Sequence, residues 1–400
     1  MFCMPYNPAT AGNCLGIPYM DHAETDLNPR YERGTLQEVY EMIGKDIEAG
    51  IPLIDDTAYS VPKYHFNYKA ACCFASRYYL FMQDWDNAIK YATMALTSNP
   101  SSLLRDYSAI AALPNGTSRH QEYVNSASTA NFLLQAATSN SGLLFDWYST
   151  AGRYSHGKLQ GIYETVQPKK GGPWGSSVTF KAPHAVLASS GKYVLPRTWR
   201  VFQYTDPVAG TGFNKAISVL FTSEEALLNR AEAYIMKMNE DPTALDKALE
   251  DINLYAANLF SAGFKSMTEA SIIKWATETY PDYSELYVGK TSVSSPQTLN
   301  PKKKLHAAPY NTLEEGGPQE SMLQALIFMR RYQFLHEGMR WFDTRRFGIT
   351  VYRYLLDEDA ETVVQITDQI SDENGTADPR RALQLPADVI AAGLTPNPRK

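Results

Sequence analysis

The segment from Tyr68 to Pro100 constrains the fold of this chain more than any other. Residues Tyr68 to Met82 have helical character, Gln83 to Asp86 form a turn, and Asn87 to Ser98 are helical again before Pro100. Ala88 and Ala95 are small enough to let two antiparallel helices approach closely, and Tyr79 fills the neighbouring gap. Pro100 stops the second helix because it lacks the N–H that a helix interior needs. The segment therefore predicts a tight helical hairpin.

Tyr79, Trp85, Ala88, Ala95 and Pro100 also sit at the offsets of a tetratricopeptide repeat. A related pair follows. Thr222 and Glu225 fit a capping box, Leu227, Leu228, Ala231 and Tyr234 mark one buried side, and Ala248, Ile252 and Tyr255 mark the next. The turn at Asp241 and Pro242 is longer than the repeat consensus. Upstream, Thr35 and Glu38 have capping-box spacing, Leu36, Val39, Tyr40, Ile43 and Ile47 share a face, and Pro52 ends that helix. A further helical stretch is expected from Ser321 to Phe347. The interval from Ser101 to Thr222 is different. It is rich in Gly, Pro, Ser, Thr and aromatic residues without a sustained period, and Lys169 to Pro173 reads as a loop. Tyr280 to Pro318 is similar. Long irregular insertions in a helical frame usually carry function.

The chain has 400 residues, 44% of them hydrophobic and 20% charged, enough for a large core. A net charge of -6 argues against sequence-independent nucleic-acid binding, which leans on a positive field. No stretch reaches the roughly 18 apolar residues of a membrane span. Met1 to Cys14 lacks the basic flank and apolar run of a signal peptide, so the chain is expected to begin inside a domain. Cys3, Cys14, Cys72 and Cys73 have no metal or disulfide spacing. His336 and Glu337 begin a zinc-protease-like string, but Arg340 stands where the second ligand is needed. Gly210 and Gly212 begin a dinucleotide-like string that ends at Lys215 without its last Gly, and Ser189 to Lys192 is an isolated SxxK. No metal site, no cofactor and no enzyme active site is expected.

The string MRRYQFLHEGMRWFDTRRFGI, which holds Arg330, Arg331, Phe334, Leu335, Glu337, Gly338, Arg340, Trp341, Asp343, Arg345 and Arg346, resembles the C-terminal signature of SusD/RagB proteins. Leu227–Ile235, Ala248–Asn253 and Leu383–Pro398 are similar to further blocks of that family, in family order. The resemblance implies an all-α fold, a tetratricopeptide-like helical-repeat scaffold with long irregular loop-rich insertions. It implies a lipid-anchored protein on the outer membrane surface that acts with a TonB-dependent SusC-like transporter and binds glycans or, in some members, peptides. Family members begin with a secretion signal, a lipidated Cys and further helices. Met1 to Tyr6 resembles the end of a family helix, so the anchor is expected to be absent from this chain. The expected organisation is a helical remnant and loop at 1–34, scaffold at 35–100 and 222–400, and a ligand-binding insertion at 101–221.

Sugars are gripped by aromatic rings against their C–H faces and read by polar groups at the rim. Within the irregular interval the candidates are Trp147, Tyr148, Tyr154, Trp174, Trp199 and Tyr204, with Arg153, Asp206 and Asn214 as polar partners. Trp174, between Pro173 and Gly175, is expected at the surface. Glu337, Arg340, Trp341, Asp343, Arg345 and Arg346 are assigned instead to scaffold ion pairs and packing, with Glu337 and Arg340 as an i,i+3 pair. Trp85 and Trp341 are assigned to the core. The expected function is surface glycan binding for uptake. The alternatives are a peptide-binding RagB-like subunit, a helical-toroid glycoside hydrolase and a repeat adaptor for protein tails.

Overall fold

Side-chain caps fix where the first helices start. Thr35 and Glu38 form the expected reciprocal capping box, Asn67 accepts from Ala70 N, and Asp84 accepts from Asn87 N. The computed structural model describes residues 1–25, 29–142, 171–182, 186–187, 193–194, 197, 199, 201–283, 285–286, 288–289, 291–293, 301–358, 363–373 and 375–399. In chain order the helices are α1 (Leu36–Gly50), α2 (Tyr68–Met82), α3 (Trp85–Leu96), α4 (Tyr107–Ala112), α5 (Gly116–Tyr123), α6 (Ser223–Lys237) and α7 (Ala244–Leu259). They continue with α8 (Glu269–Lys274), α9 (Pro318–Gln333), α10 (Met339–Arg346) and α11 (Ala387–Ala391).

The hairpin of α2 and α3 forms as the small residues dictate. Ala88, Ala92 and Ala95 are fully buried, and the Tyr79 and Tyr91 rings stack at 5.4 Å. Gln83 takes a left-handed conformation (φ 65°) that reverses the chain between the helices. Helix α6 then packs on α3 and against α7, so the two hairpins are spatial neighbours although a long insertion separates them in sequence. Arg230 of α6 holds Asp251 of α7 with two bonds of 2.7 and 2.8 Å. At the start of α6 only half of the expected capping box is present. Thr222 accepts from Glu225 N, but the Glu225 carboxylate turns to Arg77, at 2.5 and 2.7 Å. A guanidinium from a neighbouring helix is a stronger partner than a backbone N–H.

The all-α expectation is corrected. Strands β1 (Asn131–Thr138), β2 (Thr179–Phe180), β3 (Val186–Leu187), β4 (Tyr193–Val194), β5 (Val201–Asp206), β6 (Thr211–Thr222) and β7 (Phe260–Ala262) accompany the helices. So do β8 (Thr291–Val293), β9 (Val351–Leu356) and β10 (Val363–Ile370). They form three-stranded sheets in the orders β1-β6-β5 and β8-β10-β9, and two-stranded ribbons β2-β7 and β3-β4. The interval read as irregular thus hides a sheet. Val201 to Asp206 and Thr211 to Thr222 carry β-branched and aromatic residues around a Pro- and Gly-containing turn, which is a hairpin signal.

The expected helix from Ser321 to Phe347 is two helices. His336 (φ 64°) and Gly338 (φ 81°) take left-handed conformations between α9 and α10. Helix α9 is buried on nearly every side, so its polar residues need internal partners. Gln324 donates to Glu320 Oε1 at 2.7 Å, and Arg330 donates to Asn229 Oδ1 at 2.8 Å and to both oxygens of Asp343 at 3.1 and 3.2 Å. Arg346 closes this network by holding Asp343 and Glu232 together. Burial alone would push the Asp343 carboxyl up. The charges of Arg330 and Arg346 hold it below the usual carboxylate range instead. The expected Glu337–Arg340 helical pair does not form, because Glu337 precedes α10. It accepts from Tyr123 Oη and lies 3.6 Å from Arg197, and burial raises its carboxyl above the ordinary value. Trp85 and Trp341 are half-buried, with Trp85 packed against the core.

Candidate functional site

Strands β1, β5 and β6 form a blade whose root lies in the core and whose tip projects from it. Along β1 burial runs from Asn131, fully buried, to an exposed end at Thr138. Strand β6 runs the other way, from exposed Thr211 to buried Phe221 and Thr222. The root is held by Phe132, Leu134 and Phe221, and Thr222 passes directly into α6 as its cap. The scaffold thereby fixes the orientation of the blade.

The tip is a four-residue turn from Pro207 to Gly210. Asp206 Oδ1 accepts from Val208 N at 2.9 Å and from Ala209 N at 3.0 Å, so this carboxylate builds the turn. Gly210 has φ 66°. The register pairs Phe202 with Asn214 and Tyr204 with Gly212. Side chains opposite one another in an antiparallel pair share a face, and residues two apart on a strand do too. One face of the blade therefore carries Phe202, Tyr204 and Asn214. The Phe202 and Tyr204 rings meet edge to face at 4.9 Å, and Tyr204 is 58% exposed. Gly212 has no side chain to meet, and a Cβ there would lie 2.1 Å from Gln203 O and 2.9 Å from Tyr204 Cα. Asn214 Nδ2 donates to Asn140 Oδ1 at 3.0 Å, while Asn214 Oδ1 is buried without a partner. On the opposite face Phe213 is 55% exposed, and Lys215 donates to Thr138 Oγ1 at 2.8 Å.

An exposed tyrosine with a second ring at its edge and two amides alongside can lie against the C–H face of a ring-shaped polar molecule and hydrogen-bond its rim. Among the described residues no group of three or more His, Cys, Asp or Glu is placed to hold a metal ion.

The nine residues singled out from sequence fall in different places. Tyr204, Asp206 and Asn214 are brought together on the blade. Trp199 lies half-buried against Gly116 at the start of α5, where a Cβ would come within 2.8 Å of its ring. Trp174 is corrected. It is 5% exposed, not a surface ring, and packs against Phe260 at 5.2 Å and Phe328 at 5.7 Å. Its loop folds inward, with Gly171 O accepting from Trp275 Nε1 at 2.8 Å, so the ring joins the core. Trp147, Tyr148, Arg153 and Tyr154 lie outside the described residues, as do Ser189 and Lys192. Phe202, Phe213 and Asn140 were missed. The alternation on either side of the turn, in Phe202, Tyr204, Gly212 and Asn214, was the available signal.

Residues 1–80 match a SusD-like family model described as starch-binding and associating with the outer membrane. No curated protein matches the chain. The fold is similar to that of a SusD superfamily protein of Bacteroides vulgatus, with a TM-score of 0.54 at 18% identity over 99% of this chain and 72% of that one. A SusD superfamily protein of Bacteroides thetaiotaomicron gives a TM-score of 0.53 at 16% identity over 99% and 73%. A protein of Bacteroides vulgatus described as a candidate sugar-binding protein gives 0.54 at 20% identity over 99% and 72%.

Proposed function

We propose that the chain acts as a SusD/RagB-family protein, binding a glycan at the outer membrane surface and passing it uncleaved to a TonB-dependent SusC-like transporter. The observation that carries this reading is the aromatic and amide face of the β5–β6 hairpin. Tyr204 is the stacking ring, Phe202 sets its angle, and Asn214 with Asn140 reads hydroxyls. Asp206 acts indirectly by holding the tip turn. In this reading residues 101–221 form the ligand-binding insertion on the scaffold of 35–100 and 222–400, and Trp147, Tyr148, Arg153, Tyr154 and Trp199 are further contacts. The family description of starch binding and outer-membrane association supports the ligand class and the location. Among the described residues no helix is long and apolar enough to cross a membrane.

A peptide ligand is the second reading. Strand β5 is the outer strand of its sheet among the described residues, and an extended peptide can add to such an edge.

The test is affinity electrophoresis of the protein through gels holding a panel of polysaccharides, with released reducing ends assayed in parallel. Retardation by one glycan without cleavage, weakened in Tyr204→Ala, is the expected result. Retardation that Tyr204→Ala leaves intact would move the site off the blade. Binding of peptides and of no glycan would favour the second reading, and cleavage would make the protein an enzyme.

A further inference from the structure

The second three-stranded sheet ends on an open strand. Strand β9 has β10 on one side and no strand on the other among the described residues. Its backbone divides accordingly. Thr367 Oγ1 of β10 donates to Arg353 O at 3.2 Å, so Arg353 turns its peptide groups toward β10. Peptide groups alternate in direction along an antiparallel strand, which leaves those of Tyr352, Tyr354 and Leu356 at the free edge. Unpaired edge groups are a template for one more strand.

The side chains alternate too, and the two faces differ. Tyr352 and Tyr354 pack against the small cluster of Leu286, Val363 and Ile366. The alternation puts Arg353, Leu355 and Asp357 on the opposite face, and all three are exposed, Leu355 to 50%. Arg353 stands across the ladder from Asp368, but that carboxylate is held by Arg380 at 3.1 and 3.3 Å. Asp357 uses Oδ1 to accept from Glu358 N at 2.8 Å. Neither Arg353 nor Asp357 makes an ion pair among the described residues.

Opposite charges on one face of one edge fit an antiparallel copy of the same strand. Opposed residues in a continuous sheet share a face, so a two-fold pairing must centre on a residue and not between two. Centred on Arg353, the register sets two guanidinium groups against each other. Centred on Tyr354, it spends Arg353 on Leu355, and centred on Leu356 it sets Asp357 on Leu355. Only the register centred on Leu355 opposes Leu355 to itself and Arg353 to Asp357, twice by symmetry. It also opposes Tyr354 to Leu356, and both have their peptide groups at the free edge.

We propose that β9 is a self-association edge through which two copies of this chain pair antiparallel, with Leu355 on the two-fold axis and Arg353 of each copy against Asp357 of the other. Charges on an edge strand ordinarily keep other strands away. Here their spacing admits this one partner and disfavours the neighbouring registers. The contact is isologous, so it closes as a dimer and does not extend into a filament. It is short and partly ionic, so the dimer is weak and salt-sensitive. The edge shares no residue with the β5–β6 face, and the proposal stands or falls independently of glycan binding.

The test is sedimentation equilibrium of the full chain from micromolar to submillimolar concentration, at low and high salt. The expected result is a monomer–dimer equilibrium that salt weakens. Arg353→Glu and Asp357→Arg each set like charges opposite one another twice, and each should weaken the dimer at least tenfold. The double variant exchanges the signs, restores both pairs and should recover the dimer. These positions are exposed, so all three variants should keep the thermal midpoint of the unaltered chain. A monomer at every concentration, a dimer that either single reversal leaves undiminished, or a double variant that stays monomeric would each overturn the proposal.

Discussion

The network beneath α10 and the blade of β1, β5 and β6 invert the usual placement of residue types. Under α10, charged side chains are buried. Arg330, Asp343 and Arg346 are each at most 9% exposed, yet every carboxylate there meets a guanidinium. On the blade, aromatic rings that would ordinarily fill a core stand in solvent, with Tyr204 and Phe213 both more than half exposed. In the first region interactions are closed within the protein. In the second they are left open. Paired buried charges are a sign of scaffold, whereas exposed rings on a rigid support are a sign of a surface that waits for a partner.

The largest effect should come from opening the closed region. Asp343→Ala leaves Arg330 and Arg346 without their shared anion, and removing one member of a buried ionic network costs roughly 3–5 kcal/mol. Chemical denaturation should show a loss of that size, and a loss below 1 kcal/mol would remove the network from the scaffold. Trp174→Ala should cost a comparable amount, about 3–5 kcal/mol, because the ring fills space between Phe260 and Phe328. Glycan retardation by the folded fraction of that variant should be unchanged. A selective loss of retardation at full stability would return Trp174 to the binding surface.

A smaller effect is expected from pH. The folded-state pKa of Asp343 is depressed, so its contribution is complete above its unfolded value of about 3.9 and disappears as pH falls through the folded value. Glu337 has the opposite shift. Its folded state holds a proton more tightly than the unfolded chain does, so stability drops as pH rises from the unfolded value of about 4.3 through the folded value. These two groups together should give a stability maximum on the acid side of neutral. Asp343→Asn should flatten the acid limb and Glu337→Gln the other limb, read from denaturation midpoints across pH. Unaltered limbs in both variants would show that the shifts lie elsewhere.

The smallest stability change, within about 0.5 kcal/mol, belongs to Tyr204→Ala, since the ring stands in solvent. Its effect should fall on ligand affinity instead. Loss of one stacking contact is worth about 0.5–1.5 kcal/mol, or up to roughly tenfold in affinity. A large stability loss in this variant would mean that Tyr204 belongs to the fold and not to the binding face.

Much of the scaffold was legible because helices are local. The Thr35 and Glu38 cap, the small residues Ala88 and Ala95, and the buried run Leu227, Leu228 and Ala231 act over one or two turns, where spacing alone carries the information. The blade was less legible. Its three strands come from residues 131–138, 201–206 and 211–222, and an insertion separates the first from the others. The individual residues Tyr204, Asp206 and Asn214 could be picked by type, but not their shared face, nor Phe202 and Asn140 beside them.

The sequence by itself determined that two helical hairpins form, because caps, periodicity and small residues act within a few positions, although α3 spans Trp85–Leu96 and not the expected Asn87–Ser98. Only the tertiary structure decided which side chains face outward. Trp174 went inside because distant residues Phe260, Phe328 and Tyr332 surround it, and Glu225 left its own cap because Arg77 of another helix offered a stronger bond. Burial and charge pairing depend on neighbours far away in the chain, and no local spacing encodes those neighbours.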